Sequence, residues 1–326
     1  MSHGIFINQG REYSPMFGGN IFADLDNRDF TINALALDDA GHIYCHPKSL
    51  MDLQGKILRA VSEKIFLRDP VRILRLARFL AQDPTWQLAD ETLELVRKFP
   101  KELLANIAKE RVAHELLRAL GTSHPEQFFI FLAQFDLLKP WFGELDLAQG
   151  IPAGPKKWHS SDVFNHTMNV LKAVVGNPIT CWMAICHDLG KINTPQEILP
   201  HHYQHEVRGV SLALDFSTRL GLPKRYEKAG VLAAAEHMRG GLYQNMRIGN
   251  RCDLLWLVKS KGLSAEFWQL VDADSQTDVS KKALADLEII SAVRLPAEFQ
   301  NLGEKSREIF RQIQRQTLAH AERSKK

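Results

Sequence analysis

The sequence lacks the cysteine spacing of a disulfide-bonded or zinc-binding protein. Its four cysteines, spread over 326 residues, include no pair separated by two residues. A chain of this length can bury hydrophobic cores without disulfide bonds, so we expect reduced thiols. No apolar run approaches the roughly 18 residues of a membrane span, and the first ten residues lack the layout of a signal peptide. These absences predict a cytoplasmic protein with no membrane partner.

Charge of one sign and β-strand patterns are also scarce. The 41 Lys and Arg residues oppose 38 Asp and Glu residues, and a net charge of +3 does not by itself imply nucleic acid. Two short strands are predicted at 34–37 and 42–45, around an Asp-Asp-Ala-Gly turn, with a third at 57–61. From Asp69 onward apolar residues recur at spacings of three and four. The fold class is therefore predicted to be mostly α, with a small β portion before residue 62.

Interruptions of this periodicity predict how the chain is divided. Residues 1–20 are polar and irregular, as in a loop or a frayed end. A stretch rich in Pro and Gly at 148–157 precedes a new helical run and predicts a domain boundary. We therefore expect four regions, namely 1–62 with the β portion, helical segments at 63–148 and 158–300, and a basic C-terminal helix at 301–326.

Histidines and aspartates in the second half are spaced to point inward. His166 shares a helix face with Val163, and Asp274 lies on the apolar stripe of its own helix, three residues after Val271. The segment at 181–186 is almost wholly apolar and is expected to be buried, so His187 and Asp188, which follow it, should also lie in the interior. The six candidate metal ligands are His166, His187, Asp188, His205, His237 and Asp274.

A metal ion would account for these inward groups together. Burying an ionised carboxylate without a partner is very costly, whereas a divalent cation compensates it and also accepts neutral imidazoles. A single inward histidine is more often a hydrogen-bonded core residue. The adjacent His187 and Asp188 favour the metal, and Lys191 lies within reach of an anion held there, which suits phosphate chemistry. His201 and His202 are expected to be surface groups.

In this order the residues resemble the HD phosphohydrolase superfamily over about residues 158–280. The resemblance implies that His166, His187, Asp188 and Asp274 ligate one divalent metal, such as Mn, Ni, Co or Mg. It implies that His205 and His237 join a second metal, bridged by Asp188. An all-helical domain is then expected, with Asp188 and Lys191 as catalytic residues acting on phosphomonoesters, 2′-nucleotides or 2′,3′-cyclic phosphates.

A second resemblance lies in the first half. It begins with the segment Asn27-Arg28-Asp29-Phe30-Thr31-Ile32-Asn33-Ala34-Leu35 and continues with Met51-Asp52-Leu53, Leu58-Arg59, Asp69-Pro70-Val71-Arg72-Ile73-Leu74-Arg75 and Glu110-Arg111-Val112. Together these segments closely resemble tRNA nucleotidyltransferases that add CCA and bacterial poly(A) polymerases. With an HD domain following, the chain resembles the bacterial multifunctional CCA family. Residues 1–62 would then be the remnant of a nucleotidyltransferase head, and 63–148 a neck and body that bind nucleotide or tRNA. The resemblance implies nucleotide-binding roles for Arg28, Asp29, Asn33, Asp69, Arg72, Arg75, Arg78 and Arg111.

Two departures from that family alter the expected activity. Family members carry a Gly-Gly loop and an Asp-x-Asp pair that holds two Mg²⁺, and this sequence starts downstream of both. Nucleotidyl transfer needs those carboxylates, so we expect no nucleotidyl transfer from this chain alone. Mg²⁺, CTP and ATP are expected as cofactor and substrates only if a missing head fragment is supplied. The segment 24–26 has the Asp-x-Asp spacing but is expected to be a solvated turn. Arg68 replaces the glutamate of the family's nucleotide template, although a helix-start salt bridge between Asp69 and Arg72 would explain that pair equally.

A row of basic residues marks the C-terminal helix. Arg307, Arg311 and Arg315 stand four apart and could contact RNA phosphates, with a solvated helix face as the alternative because glutamates are interspersed in the row.

The first hypothesis for the whole chain is a shortened CCA-family protein that keeps a metal-dependent HD phosphohydrolase. The alternatives are a noncatalytic tRNA-binding module, one part of a split enzyme, or a truncated gene model of an active transferase. The expected partners are tRNA or an RNA 3′ end, nucleotides, and a complementary N-terminal fragment or a second copy of the chain.

Overall fold

The chain divides into two compact units that are described separately. In the computed structural model, residues 7–8, 11–12, 20–155, 157 and 161–324 are described. The first unit is Met1–Arg72 with Thr85–Pro100, and the second is Ile73–Pro84 with Lys101–Lys326. The finer division into four regions remains a prediction. Among the described residues, every helix is too short or too polar to cross a membrane.

The first unit contains short strands and short helices. Its strands are β1 (Ile7–Asn8), β2 (Arg11–Glu12), β3 (Leu35–Leu37), β4 (Ile43–Cys45), β5 (Ile57–Leu58) and β6 (Gln87–Leu88). The described residues form three two-stranded sheets, in which β1 pairs with β2, β3 with β4, and β5 with β6. The helices are α1 (Ile21–Leu25), α2 (Ser49–Gln54), α3 (Glu63–Arg68) and α5 (Asp90–Lys98).

Three expectations for this unit were wrong in detail. The strand predicted at 57–61 ends at Leu58, and it pairs in parallel with β6, which lies after residue 62 and was not predicted. A two-residue strand shows no alternation of side chains, so its sequence carries no strand signal. Asp24 lies in α1 and not in a turn, although it is solvent-exposed as expected. The hairpin of β1 and β2 falls within the stretch expected to be irregular, and the rest of residues 1–19 lies outside the described residues.

A buried carboxylate anchors the first unit. Asp52 is 1% exposed, accepts a hydrogen bond from Thr31 Oγ1 at 2.7 Å, and pairs with Arg59 Nε at 2.9 Å. Burial alone would raise the pKa of Asp52, but the hydrogen bonds and charge of its partners outweigh burial and lower it. The carboxylate therefore stays ionised and joins α2 to the residue that follows β5.

The described residues of the second unit form helices and their connecting loops, with an isolated bridge between Pro152 and Asp162, which confirms the mostly α prediction. Helix α4 (Val71–Gln82) leads into it from the first unit. The others are α6 (Lys109–Leu120), α7 (Pro125–Gln134), α8 (Gly143–Leu147), α9 (Val163–Ala173), α10 (Pro178–Cys186), α11 (His205–Arg219), α12 (Lys224–Gly241), α13 (Ile248–Ser260), α14 (Ser264–Ser275), α15 (Val279–Ala292) and α16 (Glu304–Arg323). A 3₁₀ turn, Leu189–Asn193, joins α10 to the segment before α11.

Helix α10 forms the centre of this unit, as its apolar sequence predicts. Pro178 occupies the first turn and Asn177 caps the helix by accepting a hydrogen bond from the Ile179 amide, so the local sequence fixes its start. Every residue from Ile179 to Cys186 is buried. Each fully buried large apolar side chain contributes roughly 1.5–3 kcal/mol, which makes α10 a rigid support. It packs against α9, α12 and α14, and these helices carry the inward histidines and aspartate.

Candidate metal centre

Six side chains from five helical segments meet beside the end of α10. His166 lies on α9, His237 on α12 and Asp274 near the end of α14. The pair His187 and Asp188 follows α10 directly, and His205 is the first residue of α11. The structure thus brings together all six residues that the sequence singled out. Their role as metal ligands remains a prediction.

One half of the cluster is formed by His166, His187, Asp274 and one oxygen of Asp188. The Nε2 atoms of His166 and His187 are 3.3 Å apart. Asp188 Oδ2 lies 3.5 Å from His166 Nε2 and 3.3 Å from His187 Nε2. Asp274 Oδ1 lies 3.1 Å from His166 Nε2 and 3.5 Å from His187 Nε2. Four potential ligand atoms therefore surround a common point.

The other half uses the second oxygen of the same aspartate. Asp188 Oδ1 lies 3.4 Å from His205 Nε2 and 3.5 Å from His237 Nε2. The Nε2 atoms of His205 and His237 are 3.2 Å apart. Asp188 is 2% exposed, so water does not compensate its charge. Its two oxygens face different sets of histidines, which is the arrangement of a carboxylate that bridges two cations.

Backbone hydrogen bonds fix the orientation of three histidine rings. His187 Nδ1 lies 2.7 Å from Ala184 O, His205 Nδ1 lies 2.8 Å from His202 O, and His237 Nδ1 lies 2.9 Å from Ala233 O. A carbonyl oxygen can only accept, so each Nδ1 donates its proton. In the neutral ring the lone pair is then on Nε2, which points into the cluster. This is how protein histidines are held when Nε2 ligates a metal.

The two buried carboxylates of the centre make it electrostatically suited to a cation. Burial alone would lower the pKa of His187, but the carboxylates of Asp188 and Asp274 outweigh burial and raise it to about 10. Burial would raise the pKa of Asp274, yet His187 and His166 hold it well below its usual range. Both carboxylates are therefore ionised. Against the effect of burial, Lys191 and His187 hold the pKa of Asp188 well below its usual range, so Lys191 supplies one positive charge. The charge that balances the second carboxylate comes from a proton on His187 or from a metal ion.

The separations and donor types fit a divalent metal. Ligands about 2.1 Å from a cation lie roughly 3.0–3.4 Å from each other at tetrahedral or octahedral angles. The separations within the cluster run from 3.1 to 3.5 Å. Asp188 Oδ2 is fully buried and, within the described part of the chain, has no hydrogen bond of normal geometry. A mixture of imidazole nitrogens and carboxylate oxygens suits divalent metals such as Mn, Ni, Co or Mg.

Lys191 lies beside the cluster and contacts its bridging carboxylate. Its Nζ is 2.7 Å from Asp188 Oδ2 and donates a hydrogen bond to Ala153 O at 2.8 Å. The side chain is largely buried, with 9% of it exposed. The lysine that the sequence predicted to hold a phosphate therefore also orients Asp188, the nearest carboxylate.

Two glycines allow the turn after α10 to approach α11 closely. A Cβ atom on Gly190 would lie 1.9 Å from His205 O and 2.6 Å from Gly209 N. Both contacts are with backbone atoms, which cannot rotate away. The lack of a side chain at residue 190 therefore sets the position of His205, which begins α11.

Sequence reasoning missed the residues that hold the segment before α11. His202 was expected at the surface, but it is half-buried; its Nε2 donates to Pro152 O at 2.7 Å and its Nδ1 accepts from Thr194 Oγ1 at 2.7 Å. Arg208 donates to Tyr203 O at 2.7 Å and to Gly190 O at 3.3 Å. His201 is exposed, as expected. The sequence did offer one sign of these hydrogen bonds, because Arg208 lies one helical turn after His205 and its side chain bonds the backbone of the segment before α11.

The nucleotide-binding residues inferred for the first unit make contacts within it. Arg28 pairs with Asp24 at 2.6 Å on the surface. Asp29 is buried, and its Oδ1 accepts hydrogen bonds from the Phe30 amide and from Asn33 Nδ2. Arg72 Nε lies 3.8 Å from Asp69 Oδ2, the salt bridge that was the alternative explanation of this pair. Arg72 also donates to Asn27 O, as Arg68 does to the Asn27 side chain. Nucleotide binding by these residues remains a prediction.

The basic residues of the second unit differ in their surroundings. Arg78 is only 2% exposed and pairs with the buried Glu115 at 2.6 Å, and its contact with nucleotide or RNA remains a prediction. Arg75 and Arg111 are half-buried. The remaining three inferred RNA contacts, Arg307, Arg311 and Arg315, are exposed along one side of α16, where Arg315 also contacts Asp253 at 3.2 Å.

Comparison with protein families and curated proteins identifies relatives of the chain. The family described as the probable RNA and SrmB-binding site of polymerase A matches residues 87–148. The multifunctional CCA protein of Pasteurella multocida is 40% identical over 238 residues, covering 69% of this chain and 56% of the relative. The multifunctional CCA protein of Haemophilus influenzae is 38% identical with the same coverage. The chain thus spans a little over half the length of these relatives.

Solved structures share the fold at lower identity. The Thermotoga maritima CCA-adding enzyme complexed with tRNA has a TM-score of 0.60 and is 17% identical, covering 91% of this chain and 70% of the other. The Bacillus stearothermophilus CCA-adding enzyme in complex with CTP has a TM-score of 0.59 and is 20% identical, covering 93% and 71%. The mostly helical architecture is therefore shared with these structures.

Proposed function

Because this chain belongs to the family of the multifunctional CCA proteins along the 69% of its length that aligns with them, we propose that its second unit is a metal-dependent phosphohydrolase acting on nucleotides or RNA ends. The observation that carries the proposal is the position of Asp188, whose two oxygens face two separate sets of histidines. A structural ion pair would need only one such set.

Each residue of the centre has a distinct part in this proposal. His166, His187, Asp188 and Asp274 would hold one divalent ion, and His205 and His237 would hold a second one through Asp188. Such ions lower the pKa of a coordinated water towards neutrality and draw charge from a phosphoryl oxygen. Lys191 orients Asp188 and adds a positive charge beside the phosphate. The backbone bonds of the three histidines keep their Nε2 atoms directed inward.

The substrate class in this proposal is taken from the family resemblance and agrees with the charge of the centre. The resemblance to the multifunctional CCA family implies phosphomonoesters, 2′-nucleotides or 2′,3′-cyclic phosphates as substrates, and metal ions with a nearby ammonium group suit the phosphoryl oxygens of all three. For the cyclic ester, water adds to phosphorus, one bond from phosphorus to a ribose oxygen breaks, and that oxygen takes a proton. The product is a nucleoside monophosphate.

The experiment compares the wild type with Asp188→Ala and Asp188→Asn after both have been stripped and reloaded with Mn²⁺, Ni²⁺, Co²⁺ or Mg²⁺. Hydrolysis of 2′,3′-cyclic AMP is measured together with metal content and circular dichroism. We expect both variants to lose metal-stimulated hydrolysis while keeping their helical signal. Asp215→Ala removes an exposed carboxylate of α11 and serves as the matched control. Equal metal content and equal rates in wild type and Asp188→Ala would refute the proposal.

A second candidate function is nucleotide addition together with a complementing polypeptide. The observation in its favour is an apolar surface on the first unit, where Leu37 and Ile43 pair across β3 and β4 and are 69% and 60% exposed. Leu50 and Met51 on α2 are exposed to 55% and 66%. Apolar surface beside short strands suits an added β-segment. Residues 87–148 would then contribute to binding the tRNA.

Complementation tests this second candidate. The chain is incubated with tRNA lacking CCA, labelled CTP and ATP and Mg²⁺, either alone or with the part of the Pasteurella multocida relative that the alignment leaves out. We expect incorporation only in the mixture. Incorporation by this chain alone, in a preparation shown to be free of host enzyme, would contradict the proposal, and so would a mixture without activity or without complex formation.

A further inference from the structure

Two aromatic rings, at least one of them strongly exposed, lie in the segment that leads into His205 of the candidate metal centre. Tyr203 is 66% exposed, and its ring is stacked on that of His201, with centroids 5.7 Å apart and planes 10° from parallel. Parallel stacking of two rings at the surface presents a flat aromatic face to solvent. Neither ring contributes to the six-residue cluster, so the cluster does not explain them.

The backbone that carries these rings is fixed by hydrogen bonds on both sides. Between the two rings, His202 is bonded to Pro152 O and to Thr194 Oγ1. Arg208 donates to Tyr203 O, and His205 Nδ1 donates to His202 O. Tyr203 and His201 are therefore held at the surface by a bonded backbone, which makes their stacked pair a preorganised feature.

The same bonds join the ring pair to the metal centre. Tyr203 precedes His205 by two residues, so their Cα atoms are at most about 7 Å apart. The ring of His202, between the stacked pair in sequence, has its centroid 6.4 Å from that of His205. The segment that carries the ring pair therefore leads directly into His205, a member of the metal centre.

We propose that Tyr203 and His201 form a stacking platform for the base of a nucleoside 2′-phosphate or 2′,3′-cyclic phosphate whose phosphate lies at the Asp188 centre. This inference rests on the proposed hydrolysis, and it adds which residues of this chain would bind the base of the nucleotide. Stacking on an aromatic ring tolerates every base, because each base has a π-face. The platform therefore selects for the presence of a base and not for its identity.

The test compares two strained five-membered cyclic phosphates, 2′,3′-cyclic AMP and glycerol 1,2-cyclic phosphate, which lacks a base. In the metal-loaded full chain, Tyr203→Ala should lower the ratio of kcat/KM for the nucleotide over the glycerol ester by about tenfold, the effect of losing one stacked base. The loss should appear in KM and not in kcat. Tyr203→Phe keeps the ring and should keep the ratio.

Val207→Ala is the matched control, because Val207 is also 66% exposed and lies on the first turn of α11. An unchanged ratio in Tyr203→Ala, or an equal change in Val207→Ala, overturns the platform. A wild type that hydrolyses neither ester refutes the proposed hydrolysis instead. In that event equilibrium dialysis with adenosine 2′-monophosphate decides about the platform: about tenfold weaker binding by Tyr203→Ala supports it, and equal binding overturns it.

Discussion

Replacing Gly190 with alanine should disturb the metal centre from outside it. The new Cβ would lie 1.9 Å from His205 O, whereas ordinary contact begins at 3.4 Å. The start of α11 would therefore have to move by about 1.5 Å relative to the turn. Metal–ligand distances tolerate only about 0.2 Å, so His205 would leave the position facing Asp188 Oδ1. Relief of such overpacking also costs roughly 1–3 kcal/mol of unfolding free energy.

Calorimetric titration with Mn²⁺ or Co²⁺ measures the effect on the centre, and thermal unfolding in EDTA measures the effect on stability. We expect Gly190→Ala to weaken the site that includes His205 by roughly tenfold or more, the usual effect of displacing a ligand's support. The control is Gly143→Ala, because a Cβ there would meet nothing within 4 Å. If Gly190→Ala binds the same number of ions with the same affinities as the wild type, the argument from backbone contact is wrong.

Three further predictions concern charged groups. Arg78→Ala should lower the unfolding free energy by about 3–5 kcal/mol in urea, because it leaves Glu115 buried without its partner, and a double replacement by Met and Leu should recover most of this loss. The pKa of Asp52 is lowered in the folded chain, so its contribution to stability is present above the unfolded carboxyl pKa and is lost as pH falls. In Asp52→Asn the free energy of unfolding should therefore decrease less on acidification than it does in the wild type. Lys191→Met should keep the metal bound but slow hydrolysis of 2′,3′-cyclic AMP, as metal analysis and kinetics on one preparation would show. A Lys191→Met variant with an unchanged rate would remove this residue from the site.

The sequence predicted the parts of the structure that depend on local pattern. The helical second unit and the burial of α10 follow from spacing and from an apolar segment capped by Asn177 and Pro178. The inward direction of His166 and Asp274 follows from their helix faces, and the structure brings them within 3.1 Å of each other in the cluster. Their order along the chain then indicated a metal, which the geometry fits.

Features that depend on contacts between distant residues were not predictable. The partner of Arg78 is 37 residues away, and nothing in the spacing indicates it. The role of Gly190 depends on the approach of His205, and that of His202 on carbonyl and hydroxyl groups in other segments. Strand β6 forms by two residues of backbone pairing, which leave no side-chain signal.

Anomalous diffraction from crystals soaked in Mn²⁺ tests the central claim, that Asp188 bridges two ions, most directly. The account predicts two peaks, one among the Nε2 atoms of His166 and His187 with Asp188 Oδ2 and Asp274 Oδ1, the other beside His205, His237 and Asp188 Oδ1. Each peak should lie roughly 2.0–2.3 Å from its nitrogen and oxygen ligands. A map without a peak at Asp188, at a Mn²⁺ concentration that fills other known manganese sites, would show that these residues form a buried ion-pair network and would contradict the account.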